Sequence, residues 1–382
     1  MSLVQSESKF FKGDAVIWTV VFALITFSIL VVYSATGTLA FRNMAGDTEY
    51  YLLKHTFLVS LALGILWICH QIDYKYYSRL SRYALLLSVP LLLFTWQSGT
   101  EFHGASRWIT IPFLNQTFQP SDLAKLALIA NVASMLSKRQ QNIRDSWGSV
   151  LPVLIWSGII CGLIGLSDLS GSLVLFATCM LLMFIGRVRV RYLIALVIVG
   201  AMAGLFALTV GQRLETAKSR IEAFLDKENV PFQAEQSYIA IASGGTTGKG
   251  PGNSQQRNFL PQPYSDFIFA IIIEEYGFLG AFLVIGLYLT LLYRGMLMVA
   301  QSENAFGGLL SAGLSFSLVI QAMINMGVAV GIFPITGLQL PLLSMGGTSL
   351  LFTGISIGIM ISVSKGSSEE PIVSGRKRRT KK

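Results

Sequence analysis

The chain predicts an all-α polytopic membrane protein: ten transmembrane helices, with one long extracytoplasmic loop between helices 7 and 8. Three observations carry this. The 382 residues are 53% hydrophobic and only 13% charged, with a mean hydropathy of +0.60, whereas soluble domains hold about 25% charged residues. Ten apolar runs approach the roughly 20 residues needed to cross a hydrocarbon core. Most Lys and Arg sit in the short gaps between those runs. That is a topology signal, not the basic stripe with accessible aromatic residues that nucleic-acid binding requires.

The runs lie near 15–35, 52–70, 82–98, 119–137, 149–166, 168–186, 191–211, 266–293, 307–332 and 343–363. The first is long, follows Lys9 and Lys12 and lacks a small-residue cleavage site, so it reads as an uncleaved first helix. An even number of spans puts both termini on one side. With the termini cytoplasmic, inside segments hold 19 of the 29 Lys and Arg residues, including Lys75, Arg144, Arg187, Arg294 and the tail SGRKRRTKK. Outside fall Arg42, Lys54 and Arg107, plus six basic residues in one long segment, where topology signals are weak. The expected organisation is a cytoplasmic N-terminus (1–14), a membrane domain (15–363) with its loop at 212–265, and a basic tail (364–382) that anchors topology or meets anionic lipid or a cytoplasmic partner. Cys69, Cys161 and Cys179 lie in or beside apolar runs without paired spacing and read as free thiols.

The long loop has two parts. In RLETAKSRIEAFLDKE (213–228), Leu214, Ala217, Ile221 and Leu225 form one helical stripe, as in an amphipathic interfacial helix. Its role is scaffolding, or else Arg213, Lys218 or Arg220 meets an anionic headgroup. SGGTTGKGPGNSQQRNFLP (243–261) looks like a phosphate loop but is not a Walker A motif, because Ser243 replaces the first glycine and Gly250 follows Lys249. It is either a turn-rich structural loop or a cradle in which backbone N–H groups, Lys249, Asn253, Arg257 and Asn258 hold a pyrophosphate.

Ionisable residues inside spans usually mark function. QPSDLAK (119–125) places Pro120 at a helix start and puts Asp122 and Lys125 on one face. They form either a local ion pair or the wall of a ligand cavity. Asp168 reads as a partner of the sixth helix's N-terminus. In GASRWI (104–109), Arg107 is a candidate phosphate partner beside an interfacial Trp108. FPITGLQLPLLSMGGTS (333–349) interrupts the apolar pattern. Its cluster Ser344, Gly346, Gly347, Thr348 and Ser349 opens the tenth helix, as a hinge or as an anion-binding helix start. SDFIFAIIIEEYGFLG (265–280) carries Asp266, Glu274 and Glu275 in one segment. The scattered His55, His70 and His103 read as packing residues.

Taken together, GASRWI, QPSDLAK, the glycine-rich loop with QPYSDFIFAIIIEEYGFLG, and FPITGLQLPLLSMGGTS resemble the SEDS proteins (shape, elongation, division and sporulation). These are ten-span peptidoglycan glycosyltransferases that polymerise lipid II. The resemblance spans nearly the whole chain and is nearest the division member, with the elongation member a close alternative. It implies Asp266 as the catalytic residue, with Asp122 and Lys125 at the QPSE-x-x-K positions and Arg107 at the RWI arginine. Asp122 stands where Glu is commoner, Ile273 where Gly is frequent, and SDLSGS where PDLGT is frequent, which leaves the role of Asp168 open.

The implied reaction joins two lipid-linked disaccharides with inversion and releases polyprenyl pyrophosphate. It needs one base at the outer surface, where Asp266 meets the interface, and cations for the leaving group. Arg107 and Lys125 are first in line, with Lys249, Arg257, Asn258, Ser344, Gly346, Gly347 and Thr348 as further substrate-binding candidates. Glu274 and Glu275 are expected deeper, on a helix continuous with Asp266, buried, hydrogen-bonded or protonated, and holding the base in place. Ala270 and Gly277 would share the Asp266 stripe. A divalent cation (Mg or Mn) is compatible, but no ligand spacing demonstrates one. Expected partners are lipid II, the growing lipid-linked glycan, a class B penicillin-binding transpeptidase and other division-complex membrane proteins, with no nucleic acid. The expected location is the bacterial inner membrane at the division septum. A lipid II transporter is the competing class, but it would need ionisable residues through the full membrane depth.

Overall fold

In the computed structural model of the chain, the described residues are 12–37, 48–102, 105–111, 116–140, 147–210, 214–226 and 230–369. Lys9, Arg42, His103, Arg144, Arg213, Lys227 and residues 370–382 of the basic tail lie outside them. Helices occupy all ten expected positions: α1 (Ala15–Ala35), α2 (Thr48–Gln71), α3 (Tyr77–Ser98), α4 (Pro120–Lys138), α5 (Trp147–Ser167), α6 (Leu169–Ile185), α7 (Val190–Val210), α10 (Ile268–Gln301), α11 (Ala305–Ala329) and α12 (Thr348–Glu369). Two more, α8 (Leu214–Leu225) and α9 (Phe232–Gly244), lie between α7 and α10. Among the described residues, six of these helices, α1, α2, α5, α10, α11 and α12, are long and apolar enough to cross a membrane.

The helix starts follow local chemistry. Asp14 caps α1, its Oδ1 accepting from Val16 N at 2.8 Å. Asn304 caps α11 through Phe306 N at 3.2 Å, and Pro120 occupies the first turn of α4, where no donor is missed. Asp14 also pairs with Arg294 of α10, and its N–H donates to Ser364 Oγ of α12 at 2.9 Å. One polar knot thus ties three helices at one end of the bundle.

The core lies on the C-terminal helices. Within the apolar windows of α10, α11 and α12, 67% of residues are buried by protein, against 28% for α2. α10 packs most extensively on α11, and α12 on α2. Gly354 and Gly358 of α12 face the Ala62 and Leu66 carbonyls of α2, where a Cβ would collide.

Three expectations need correcting. First, the chain is not purely helical. β1 (Thr100–Phe102), β2 (Ala105–Ile111) and β3 (Gln116–Phe118) form an antiparallel sheet in the order β1-β2-β3, with Ile109 opposite Phe118. Second, α10 begins at Ile268, so Asp266 sits in the preceding turn rather than in the helix. Third, α10 is not continuous: Gly277 has φ +66 and ψ −165 and splits it, so Gly277 extends no stripe from Asp266. Likewise α12 starts at Thr348, leaving Ser344, Gly346 and Gly347 in the irregular stretch before it.

Candidate functional site

Asp266 is held through the two residues before it and through its own carbonyl. Ser344 Oγ donates to Ser265 O at 2.6 Å, and Met345 N donates to Tyr264 O at 2.9 Å. Asn325 of α11 donates through Nδ2 to Asp266 O at 2.9 Å and to Leu338 O at 2.6 Å. The carboxylate itself accepts from Ser265 Oγ at 3.0 Å, and Gly337, at φ +72, brings backbone close to its Oδ2. Asn325 lies 21 residues beyond the Asn304 cap, about 31 Å along α11. Asp266 therefore stands at the end of the bundle opposite the Asp14–Arg294 knot.

There it lines a cavity of about 490 Å³ that gathers residues from distant segments. Six charged side chains contribute: Asp122, Asp168 and Asp266 with Arg107, Lys125 and Arg220. Arg107, on β2, donates through Nε to Ser167 O at 2.8 Å and pairs with Asp168 at 3.4 Å. Asp168 also caps α6, accepting from Gly171 N at 3.0 Å, so its two roles coincide. Lys125 pairs with Asp122 at 3.2 Å. The ion pair and the cavity wall, alternatives in the sequence, are the same pair of residues. Asp122 Oδ2 and Gln339 Oε1 have no hydrogen-bond partner among the described residues, leaving acceptors at the cavity lining. Burial, nearby Tyr51 and the Asp266 charge push the Tyr264 phenol above its usual pKa, which keeps it a protonated donor.

Of the expected site residues, Asp266, Arg107, Asp122 and Lys125 meet in this cavity. Thr348 borders it, accepting from Gln119 N at 3.3 Å. Ser344 supports the Asp266 turn, and Gly346 packs on Gln339. Lys249, Arg257, Asn258 and Gly347 are not among the lining residues. Sequence reasoning missed Gln321 and Asn325, although two amides one turn apart in an apolar helix were a readable signal. Among the described residues, no group of three or more His, Cys, Asp or Glu side chains is arranged to hold a metal, and two of the three cavity aspartates are paired with cations.

Glu274 and Glu275 serve a different place. Both are fully buried, but their partners come from the glycine-rich loop and α1 rather than from the Asp266 turn. Glu274 pairs with Lys249 at 2.7 Å and accepts from Ser254 Oγ at 2.5 Å, Gln255 N at 3.0 Å and Gln256 N at 3.2 Å. Glu275 accepts from Ser34 Oγ and from Ser254 N at 3.3 Å, and Arg257 donates to Ser34 O at 3.0 Å. The backbones interlock as well: Lys249 N to Glu274 O, Gly250 N to Glu275 O, and Phe278 N to Gly245 O, all within 3.0 Å. A Cβ on Gly277 would run into the Thr246 carbonyl, and one on Gly248 into that of Glu275. The loop's glycines thus permit a backbone-on-backbone clamp at the break in α10.

Comparison with known proteins agrees with this architecture. The cell cycle protein family that unites FtsW, RodA and SpoVE matches residues 14–369. A protein of Trichlorobacter lovleyi named probable peptidoglycan glycosyltransferase FtsW is 32% identical over 380 residues, covering 97% of this chain and 98% of the relative. Its namesake in Haemophilus influenzae is 33% identical over 91% of this chain and 89% of the relative. A solved chain from work described as "Structural coordination of polymerization and crosslinking by a peptidoglycan synthase complex" superposes with a TM-score of 0.72 at 26% identity, covering 94% of this chain and 99% of its own. The crystal structure of the rod shape determining protein RodA of Thermus thermophilus gives 0.69 at 26% identity, covering 95% and 100%. The family match runs from the α1 cap to the end of α12 and includes every segment that builds the cavity, so this chain belongs to the FtsW, RodA and SpoVE family of cell cycle proteins, the SEDS proteins its motifs resemble.

Proposed function

We propose that the chain is a peptidoglycan glycosyltransferase that polymerises lipid II in septal wall synthesis, with Asp266 as its base. The observation that carries this reading is the juxtaposition, in one cavity, of Asp266 with Arg107, Lys125 and Arg220. The acceptor hydroxyl oxygen bonds to the anomeric carbon of the donor and passes its proton to Asp266. The carbon–oxygen bond to the diphosphate breaks, and its electron pair leaves with the diphosphate. A base positioned by five surrounding hydrogen bonds needs little reorganisation. Arg107 and Lys125 stabilise the charge developing on the leaving group. Each is oriented by its own aspartate.

In this reading the ten helices at the expected positions all span the inner membrane, both termini are cytoplasmic, and the 212–265 segment is the outer loop. The membrane domain covers 15–363 and the tail 364–382. The positive-inside count supports that orientation, and the Asp14–Arg294 knot then marks the cytoplasmic end. The names of the curated relatives support the division role. The synthase-complex neighbour supports pairing with a crosslinking enzyme, a class B penicillin-binding transpeptidase. The test is glycan synthesis from lipid II by the purified protein with that partner. The parent is expected to make long glycan and a folded Asp266→Asn variant none; polymer from the variant at the parental rate overturns the base assignment.

A further inference from the structure

The six charges of the cavity are not equivalent. Arg107 and Lys125 each face a carboxylate at ion-pair distance, so part of their charge is neutralised before any ligand arrives. Arg220 reaches the cavity differently. It comes from α8, the outer amphipathic helix, and its Nη1 donates to two backbone carbonyls, Ile335 O at 3.2 Å and Thr336 O at 3.5 Å. The next residue, Gly337, is the one whose backbone lies against Asp266 Oδ2. The Arg220 guanidinium is therefore docked one residue away from the proposed base. Carbonyl dipoles hold it in place without cancelling its charge, and a guanidinium has donors left for a second partner.

The rest of α8 explains why the cation can be carried there. Ile221, Phe224 and Leu225 are exposed, while Lys218 and Glu222 form a solvated pair at 3.6 Å. The helix offers an apolar edge to the headgroup layer and directs one arginine inward. Burial and the neighbouring Arg107 act against the charged form of Arg220, and Asp168 and Asp266 favour it. An anion with two phosphoryl groups entering the cavity would relieve the first two effects together. Arginine binds such oxygens bidentately, which lysine does not.

We propose that Arg220 is a substrate-contacting residue, carried by α8, that binds the diphosphate of the lipid-linked donor and holds it as it leaves. This rests on the glycosyltransferase reading above for the identity of the ligand, but not on Asp266 being the base. It assigns a function to the outer helix, and it supplies the cavity with a cation that no aspartate orients.

The test uses the full chain in bilayer discs and two probes, a polyprenyl diphosphate and the monophosphate of the same chain length. Arg220→Gln retains an amide donor for the Ile335 and Thr336 carbonyls but removes the charge. It is expected to weaken diphosphate binding by at least about tenfold, the scale of one charge-assisted hydrogen bond, and monophosphate binding by less. Arg220→Lys keeps the charge but not the bidentate fork, so its diphosphate affinity is expected to fall between those of the parent and the Gln variant. Parental diphosphate affinity in the Gln variant overturns the proposal. So does an equal loss in the Gln and Lys variants, which marks Arg220 as a structural tether. Discs with and without phosphatidylglycerol separate the donor from bilayer headgroups; an effect present only with the anionic lipid also overturns it. The readout is diphosphate binding rather than turnover, so a failure of the base assignment leaves this outcome readable on its own.

Discussion

The two ends of one short segment, residues 266 to 277, handle carboxylates in opposite ways. At the start, Asp266 lines a cavity whose charged residues come from β2, α4, α8 and the α6 cap, and two polar atoms there, Asp122 Oδ2 and Gln339 Oε1, have no hydrogen-bond partner among the described residues. At the other end, Glu274 is fully buried, and both of its oxygens are engaged by the glycine-rich loop. A buried carboxylate is tolerable only when paired and hydrogen-bonded, so the Glu274 end reads as structure. The Asp266 turn is fixed by its backbone while the residue lines the cavity, so that end reads as function. Acidic residues eight positions apart in one apolar segment thus differ because of what folds over them, not because of their own chemistry.

The comparison predicts that cavity substitutions reduce turnover with little loss of stability, and that clamp substitutions do the reverse. The largest expected effect is from Gly277→Ala. It adds a Cβ against the Thr246 carbonyl at positive φ, and we expect destabilisation of more than about 4 kcal/mol, the range reserved for strained or overpacked sites. Thermal melting in detergent measures it, and parental stability would break the clamp description. Next, Arg107→Ala should lower the rate of glycan formation by about 10²–10³-fold, as for loss of one preorganised donor. Melting of the same sample should shift far less than for Gly277→Ala. A rate loss fully explained by unfolding would erase the distinction between the two ends.

Lys249→Ala sharpens the picture from the other side. It leaves Glu274 buried without its cation and should cost about 2–3 kcal/mol, below the range for fully buried pairs because Lys249 is 27% exposed. Activity per folded molecule should stay near the parental value; a selective loss of turnover would move the loop back into the site. Asp168→Asn keeps a capping acceptor for Gly171 N and should change stability little, while turnover falls as Arg107 loses its orienting charge. At the small end, Lys218→Ala on α8 should change stability by less than about 0.5 kcal/mol, as expected for an exposed i,i+4 pair.

Helix positions were legible because an apolar run of membrane length has few alternatives. The sheet was not: two of its strands are three residues long, too short for a period-2 pattern to declare itself. The break at Gly277 was also hidden, because glycine is common in membrane helices; only the loop backbone packed against it explains that residue. The same loop, rich in glycine and cations, read as a structural loop or as an anion cradle, since the glutamates it contacts lie some twenty residues away in sequence. Asp266, Arg107, Asp122 and Lys125 were named together through a family resemblance. Their meeting in space could not be read from spacing, because they come from β2, α4 and the turn before α10.

The most direct test compares Asp266→Asn and Glu274→Gln in one experiment: initial rate of glycan synthesis from lipid II, normalised to folded protein, alongside the melting temperature. The account predicts a stable Asp266→Asn protein with no measurable polymer and a less stable Glu274→Gln protein with near-parental rate per folded molecule. Parental polymerisation by Asp266→Asn, or a stable but inactive Glu274→Gln, would contradict it.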